Sequence, residues 1–536
     1  MRFPVLPALA LSLLFASGSS HTNAQSQFLH YDRLFGGEND DYCYQLIAGL
    51  DGGYLIVGGT GSYGPGPSDQ TPNGYAIKVD ATGEPEWQMG LGTTGTEYFT
   101  SAAITDDGNY LLLGTRVYTG SQDANLTITK ISPDGDVLAI NEMGTTTHSE
   151  VSEKIIAVGN GKYVCVGQRF VQGSSTDFNL LALMTDDAGN IGWTAEYQAG
   201  LPISPFDIER CPDGTYLVCG ILRNIPYDRA VLLRLASDGL LLWGRTYQQP
   251  DGRCWHNALH PTPDGGCFLT GAAGGSSTRL MLLRCTANGE VVWRHDFSAD
   301  ISQTGEDLTM TEDGRLVILG HLSFLDPTLT SSALIVTDSL GQLLNQRVFG
   351  PTAGLSTPRN IILEDDTWTV VGNNLNLADL PLDVEIIRSN VPSDAAVEPC
   401  QPIQAVFEPA DLPDPIPGPD VIALNAPTMT VTPSNWTPLM VIGSQTICTN
   451  VGVYGTEVLT IARCWPNPAR DMLHLEYPAT WRIAELALID VMGRKIMRSH
   501  SFIGSALPIA DIPPGSYSLL ITCTDGERHV LPLVVE

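Results

Sequence analysis

The feature that most constrains the fold of this chain is a nine-residue pattern that occurs seven times. A polar turn leads into an apolar run and a closing glycine, as in "LDGGYLIVG" at 50–58 and "PDGTYLVCG" at 212–220. The closing glycines stand at positions 58, 114, 167, 220, 271, 320 and 372. A period near fifty residues with short strands predicts a propeller or a solenoid.

Each unit reads as two hairpins. In the fourth unit "SPFDIER" leads through "CPDG" to "TYLVCG", and "RAVLLRLA" leads through "SDG" to "LLLWGRTY". Asp-Gly forms tight turns because glycine accepts a positive φ at no steric cost. Runs such as "YLLL" are apolar without alternation, so these strands should be covered on both faces, as in sheets stacked around an axis.

A tryptophan recurs in the outer hairpin of four units, at Trp87, Trp193, Trp243 and Trp293. We predict that these large side chains wedge between neighbouring sheets. Two units depart from the pattern, with Ala139 and Asn345 in place of the tryptophan.

The two ends of the array decide between a ring and an open stack. The seventh unit has no final strand, whereas an extra strand, "QFLHYDRLFG", occupies residues 27–36 at the start. A strand that completes the last sheet would close the ring and leave no exposed end. We therefore predict an all-β fold with a seven-bladed β-propeller over residues 25–390, in which 27–36 lies beside 382–390.

The remaining segments have distinct compositions. Residues 1–24 have one arginine, a short apolar run and then small residues, which predicts a secretory signal peptide. Residues 391–458 are dense in proline and acidic residues, which predicts a linker or spacer. Short alternating strands over 459–536 predict a small Ig-like β-sandwich.

The composition excludes some classes of partner. The formal net charge of −31 argues against nucleic acid, whose phosphates need a basic surface. No later stretch is long and apolar enough to predict a transmembrane segment. Of the 11 cysteines, several lie inside the repeated strands, where cysteine usually acts as a small buried hydrophobe. We predict no cofactor.

The C-terminal segment carries ordered motifs: "WPNP" at 465–468, "LIDVMGRKI" at 488–496 and "IPPGSY" at 512–517. It resembles the type A C-terminal sorting domain of the type IX secretion system of Bacteroidetes-type bacteria. The motif residues that carry this resemblance are Trp465, Pro466, Asn467, Pro468, Asp490, Gly493, Arg494, Gly515 and Tyr517. The resemblance implies passage through the type IX translocon, removal of the domain by a sortase-like peptidase, and release or attachment to the outer-membrane surface.

The repeats also resemble delta-60-type propeller repeats over residues 28–390, on the pattern of "DGGY" followed by an apolar run, glycine, and a later turn with tryptophan. This resemblance implies the propeller fold and says little about a ligand.

Candidate chemistry is sparse. His256 and His260 lie four apart in "CWHNALHPTP" and could face one side, which makes them weak candidates for a metal site. Five acids on predicted inner strands could line the central channel, either as solvated residues or as a pair for sugar hydrolysis: Glu153, Asp207, Glu209, Glu306 and Asp307.

The variable links, such as 59–74 and 115–125, should all lie on the side opposite the Asp-Gly hairpins. Variable loops on a rigid scaffold are the usual place of recognition. We therefore expect a secreted or surface-displayed, non-catalytic propeller that binds a protein or a glycan there. The alternative is an extracellular carbohydrate-active hydrolase or lyase, which acids and aromatic rings converging at one channel mouth would favour. An adhesion or spacer protein is a third possibility.

Overall fold

The computed structural model describes residues 29–390 apart from 67, 69–70, 119–122, 173–177, 225, 250–251, 276, 299–301, 324–329, 350–354, 365–366 and 376–380. It also describes 408–410, 416–417, 422–424, 429–433, 437–441, 445–451, 463–465, 470, 472–476, 483–490, 495–499, 506–509, 512–523 and 528–535. The predicted signal peptide at 1–24 lies outside these residues. Over the described residues the chain is all-β, and it contains no helix that could cross a membrane.

The chain divides into two compact units, 1–452 and 453–536. The first begins with β1 (Leu29–Phe35) and continues through antiparallel meanders of four strands, which we number as sheets 1 to 7. Sheets 1 to 3 contain β2 (Asp41–Ala48), β3 (Tyr54–Thr60), β4 (Asn73–Val79), β5 (Pro85–Gly92), β6 (Thr96–Ile104), β7 (Tyr110–Val117), β8 (Ala124–Ile131), β9 (Val137–Gly144), β10 (His148–Gly159), β11 (Lys162–Val171), β12 (Phe178–Asp186) and β13 (Ile191–Gln198). Sheets 4 to 6 contain β14 (Ile203–Arg210), β15 (Tyr216–Leu222), β16 (Arg229–Leu235), β17 (Leu241–Gln248), β18 (Arg253–Pro261), β19 (Cys267–Gly274), β20 (Thr278–Cys285), β21 (Val291–Ser298), β22 (Ser302–Met310), β23 (Leu316–Ser323), β24 (Thr330–Thr337) and β25 (Leu343–Phe349). Sheet 7 contains β26 (Leu355–Glu364), β27 (Thr367–Leu375), β28 (Leu382–Asn390) and β1.

The sheets follow one another in a closed circle, a propeller-like arrangement. The first strand of each sheet contacts the first strand of the next, and β26 contacts β2. β1 lies antiparallel beside β28, with Tyr31 opposite Arg388 and Phe35 opposite Val384, which is the place expected for a closing strand.

The core is a series of hydrophobic clusters, each shared by two neighbouring sheets. Sheets 3 and 4 share Val164 and Val218, for example, and sheets 7 and 1 share Val384 and Tyr54. Because both faces of the middle strands are covered, β3 and β15 are buried at every residue. The seven described free cysteines are all buried, as expected for small hydrophobes. Burial on both faces explains the absence of alternation in the apolar runs.

The tryptophans lie between sheets, as predicted. The indole N–H groups of Trp87, Trp193 and Trp243 donate to turn carbonyls of the next sheet, at Pro133 (2.8 Å), Ser237 (3.1 Å) and Ala287 (3.1 Å), respectively. In sheet 2, where Ala139 replaces tryptophan, the Asn141 amide donates at 3.0 Å to the carbonyl of Ala188, one residue further along the equivalent turn of the next sheet.

The described residues between 408 and 451 differ from the linker expected over 391–458. They form six short strands that each add a fifth strand to the outer edge of a sheet: β29 (Glu408–Ala410) beside β21, β30 (Ile416–Pro417) beside β17, β31 (Ile422–Leu424) beside β13, β32 (Thr430–Pro433) beside β9, β33 (Thr437–Val441) beside β5, and β34 (Gln445–Val451) beside β1. The many prolines do not prevent this pairing, because an edge strand uses the N–H groups of only one side.

The second unit contains seven described strands in two sheets, of three and four strands. They are β35 (Arg463–Trp465), β36 (Met472–Glu476), β37 (Ile483–Asp490), β38 (Lys495–Ser499), β39 (Ala506–Pro508), β40 (Gly515–Cys523) and β41 (Arg528–Val535). Both sheets contribute to one apolar cluster, which includes Leu473 of β36 and Leu486 of β37.

Candidate functional site

Each of the seven innermost strands is interrupted by a β-bulge at the same place. In sheet 1, for example, the pairing of β2 with β3 shifts between Cys43 and Gln45, which leaves Tyr44 without a partner residue on β3. The seven residues that the bulges leave unpaired all line one cavity of 370 Å³, and we call them the bulge ring: Tyr44, Thr100, Glu153, Phe206, Asn257, Glu306 and Arg359. A bulge turns an extra side chain out of the ladder, so the repeat delivers one residue from each sheet to the channel.

The bulge also explains the closing glycine of the repeat. A Cβ on Gly58 would lie 1.8 Å from the carbonyl oxygen of Tyr42, and one on Gly271 would lie 2.1 Å from that of Trp255. The bulged backbone therefore occupies the space that a side chain would need. Each residue of the bulge ring precedes its closing glycine by fourteen positions, or by thirteen in the last unit. This spacing is a sequence signal for the channel-facing residues.

The residues that follow the bulges connect neighbouring sheets. In sheet 1 the Gln45 oxygen accepts the Ala102 N–H at 2.6 Å, and in sheet 2 the Ser101 hydroxyl accepts the Ile155 N–H at 3.0 Å. Asn360 of sheet 7 accepts the Leu46 N–H at 3.0 Å, which links the last sheet to the first.

Sheets 3 and 5 lack an acceptor at this position, because they carry Lys154 and Ala258. Lys154 instead forms an ion pair with Asp207 of sheet 4 at 3.2 Å, and the Asn257 amide donates to the Gly305 carbonyl of sheet 6 at 2.9 Å. Asp207 of sheet 4 and Asp307 of sheet 6 each accept two backbone hydrogen bonds. One carboxylate oxygen accepts the N–H of the following residue, and the other accepts an N–H of the next sheet. Polar links thus connect every neighbouring pair of sheets. The two aspartates have a structural role, because each holds its own sheet to the next one.

Aromatic rings concentrate on the side of the cavity nearest the starts of the innermost strands, where the links between sheets lie. Tyr44, Phe206 and Trp255 line the cavity, and the Tyr44 side chain is 36% exposed. The Tyr44 ring lies 5.5 Å from that of Tyr42 and 6.1 Å from that of Tyr98. The cavity wall therefore offers flat apolar surfaces from several sheets.

Three residues of the bulge ring are charged: Glu153, Glu306 and Arg359. On the described part of the chain, none of them has a partner within 4 Å that carries the opposite charge. Glu306 has a histidine nearby, since its Oε1 lies 4.0 Å from Nδ1 of His321. Burial raises the pKa of both Glu153 and Glu306 to about 7, although the Arg359 guanidinium opposes this shift. Burial also lowers the pKa of His321 to about 4, so that the ring is neutral. Arg359 lies 5.8 Å above the Tyr44 ring, and its buried Nε has no hydrogen-bond partner among the described residues.

A second cavity of 710 Å³ lies on the side of the Asp-Gly hairpins and shares five lining residues with the first: Gln45, Lys154, Asp207, Asp307 and Asn360. Glu209 lines it, and burial followed by the Asp207 charge raises its pKa to about 8. All five acids expected at the channel therefore line at least one of the two cavities, and Asp207 and Asp307 line both. Glu153 and Glu306 lie in the first only, and Glu209 lies in the second only.

The prediction that His256 and His260 face one side is wrong. The bulge at Asn257 falls between them and reverses the alternation of β18. His256 is fully buried 5.4 Å from the Tyr247 ring, and burial lowers its pKa to about 3. His260 lines the second cavity. Over the described residues no three histidine, cysteine or acidic side chains group together as a metal site needs.

The loop at 59–74 folds back on the ring where it is described. The Tyr63 hydroxyl donates to the Gly36 carbonyl at 2.5 Å, and the Asn73 amide donates to the Tyr63 carbonyl at 3.2 Å. Part of the other variable loop, 119–122 within 115–125, lies outside the described residues.

The residues of the predicted sorting motif fall within the second unit, 453–536. Trp465 and Asp490 end β35 and β37, and Gly515 begins β40. The Tyr517 hydroxyl donates to the Pro513 carbonyl at 2.7 Å. The remaining motif residues, Pro466, Asn467, Pro468, Gly493 and Arg494, lie outside the described residues.

No protein-family model and no curated protein matches the chain. Among solved structures, it is similar to the polysaccharide lyase Uly1, with a TM-score of 0.42 and 10% identity over 68% of this chain and 98% of that one. It is similar to Kuenenia stuttgartiensis hydrazine synthase, with a TM-score of 0.30 and 12% identity over 55% of this chain and 96% of that one. It is also similar to the extracellular domain of BT4673 from B. thetaiotaomicron, which is described as a one component system. The TM-score is 0.24 and the identity is 11%, over 96% of this chain and 86% of that one. Such distant likeness carries no argument about ligand or reaction.

Proposed function

We propose that this chain is a secreted or cell-surface, non-catalytic seven-bladed β-propeller that binds a glycan in the cavity of the bulge ring. The observation that carries the proposal is the composition of that ring. Tyr44 and Phe206, with the neighbouring Trp255, supply flat apolar faces, and Thr100, Asn257 and Arg359 supply hydrogen-bonding groups. Sugar rings stack on aromatic faces while their hydroxyls need such polar partners. The volume of 370 Å³ is in the range of small-ligand sites.

A glycan fits this cavity better than a protein surface does. The aromatic and polar groups converge on a concave space enclosed by seven strands, whereas protein interfaces bury large, flatter areas. A protein ligand would contact the loops around the mouth and would depend little on the bulge ring.

The binding proposal is tested by screening the full chain on a glycan array and measuring the affinity for the best hits by calorimetry. We expect Trp255→Ala and Tyr44→Ala each to weaken binding at least tenfold, about 1.4 kcal/mol or more. Tyr227→Ala is the matched control, because Tyr227 is an exposed tyrosine that lines neither cavity. If no glycan binds, or if all three variants bind equally, the proposal fails.

One observation favours an enzyme as the second candidate, a carbohydrate-active hydrolase or lyase. Glu153 and Glu306 come from sheets 3 and 6, on well-separated walls of the channel, and both have a pKa of about 7. Carboxyl groups that titrate near neutrality suit general acid and base catalysis.

The two candidates predict different products. A binding protein leaves bound oligosaccharides intact, whereas an enzyme releases new reducing ends, or unsaturated ends in the case of a lyase. Turnover that disappears in Glu153→Gln or Glu306→Gln and persists in Glu209→Gln, which alters the second cavity only, would establish the enzyme.

We further propose that the second unit is an Ig-like sorting domain that directs export through the type IX translocon and is then removed by a sortase-like peptidase. Its separate apolar core supports this, because an address that is cut off must fold apart from its cargo. The test is fractionation of a type IX-competent host that expresses the chain with and without residues 459–536. Equal amounts of both forms in the medium would contradict the proposal.

A further inference from the structure

The strands β29 to β34 follow the sheets in a regular order. Along the chain they pair with sheets 5, 4, 3, 2, 1 and then 7. Each step moves to the neighbouring sheet, so the six strands are arranged around the outside of the ring in the order opposite to that in which the sheets follow one another. We call these six strands, β29 to β34, the strap.

The strap pairs with edges that would otherwise be open. In a ring of meanders the outermost strand of each sheet has one row of N–H and C=O groups without a ladder partner, and such edges invite pairing with other chains. The strap strands lie antiparallel to six of these outer strands. Met429, just before β32, is also buried in the apolar cluster of sheets 2 and 3.

The last strap strand has a special position. β34 pairs with β1 from Leu29 opposite Val451 to Leu34 opposite Gln445, with an irregularity after Asp32. On its other edge β1 pairs with β28. β1 is also the strand that comes from the far end of the chain to complete sheet 7. It is therefore held by a ladder on each side.

We propose that the strap is a lock that holds the ring closed, because β34 must leave β1 before β1 can leave sheet 7 from its outer edge. Without the strap, β1 would be an edge strand held by β28 alone, and edge strands are the first to open locally. The closure would then be a reversible step rather than a stable part of the fold.

Hydrogen exchange followed by mass spectrometry on the full chain tests the lock. In the double variant Thr449→Pro/Asn450→Pro, at least one ladder bond to β1 is lost, since alternate residues of an edge strand face the partner. We expect the amides of residues 29–35 to exchange at least tenfold faster. The matched control, Leu439→Pro/Met440→Pro, breaks β33, which pairs with β5 and not with β1, and should leave the exchange of 29–35 unchanged.

Equal exchange of residues 29–35 in the two double variants and the wild type would overturn the proposal. A second measurement does not depend on any variant. In the wild-type chain, we expect those amides of 445–451 that face β1 to be protected against exchange. If they exchange as fast as an unfolded peptide while 29–35 stay protected, β34 does not hold β1 and the proposal is also overturned.

Discussion

Asp207 accepts, through Oδ2, the backbone N–H of Leu259 from the neighbouring sheet at 2.9 Å. Its Oδ1 accepts the N–H of Ile208 at 2.9 Å and lies 3.2 Å from the Lys154 ammonium of the preceding sheet. One carboxylate therefore connects sheets 3, 4 and 5 at the channel wall.

Replacing this carboxylate should be costly. Asp207→Ala leaves two backbone N–H groups without their acceptor and Lys154 without its partner, so we expect a loss of about 3 kcal/mol in the free energy of unfolding. The measurement is urea denaturation of the full chain. Asp134→Ala is the control, because Asp134 is an exposed turn residue and should change stability by less than about 0.5 kcal/mol. Similar losses in both variants would contradict the bridging role.

The closing glycines should differ in their tolerance of a side chain. A Cβ on Gly271 would meet the Trp255 carbonyl at 2.1 Å, whereas one on Gly320 would meet the end of the Leu280 side chain, Cδ1, at 2.9 Å and the nearest bulge carbonyl, Thr304, at 3.7 Å. We expect Gly271→Ala to lower the unfolding free energy by about 3 kcal/mol, as for severe overpacking, and Gly320→Ala to lower it far less. Thermal denaturation of the two variants side by side gives the answer, and equal effects would argue against the bulge as the reason for the glycine.

The sequence predicts the sheets well because their signals are local. The turn at Asp213-Gly214 is an example, since Gly214 has a φ of 82° that glycine adopts freely. The wedge role of Trp243 could also be predicted, because a large side chain that recurs once per unit needs a recurring place to pack. Tyr31 lies against Gly83 of the first sheet, as the counterpart of those tryptophans.

The side chains that face the channel were harder to predict, because the pattern of apolar residues in a strand does not reveal a bulge. Reading β18 as a regular strand placed His256 and His260 on one side, and the single extra residue at Asn257 reversed that result. The strap was missed for a different reason. Pro409 and Pro417 suggest a linker by composition, yet both lie in short strands whose pairing depends on edges that only the finished ring provides.

The closing strand should respond to pH. Burial, together with the neighbouring Glu385, raises the pKa of Asp32 on β1 to about 9. The folded state therefore holds a proton that the unfolded chain releases near pH 4, so this group lowers the stability as the pH rises from about 4 to 9. Asp32→Asn imitates the protonated form. We expect the variant to be more stable than the wild type at pH 8 and nearly equal to it at pH 4, by urea denaturation at both values. A constant difference would refute the shift.

Arg359 should set the titration of the bulge ring. Burial raises the pKa of Glu153 and Glu306 to about 7, and the Arg359 charge limits the rise at both sites. Removing that charge with Arg359→Gln should therefore move both titrations upward. Carbon-13 NMR of the labelled glutamate carboxyls measures this directly.

The control for this titration is Arg210→Gln, because Arg210 lines the second cavity and not the first. It should leave both glutamates near 7. Two carboxyls that titrate near 4 in the wild type would mean that water reaches them freely, and an aromatic cavity open in that way would hold a sugar ring only weakly. Titration near 7 that moves with Arg359 alone would instead show one enclosed electrostatic unit, built by side chains that the bulges of three different sheets turn into the channel.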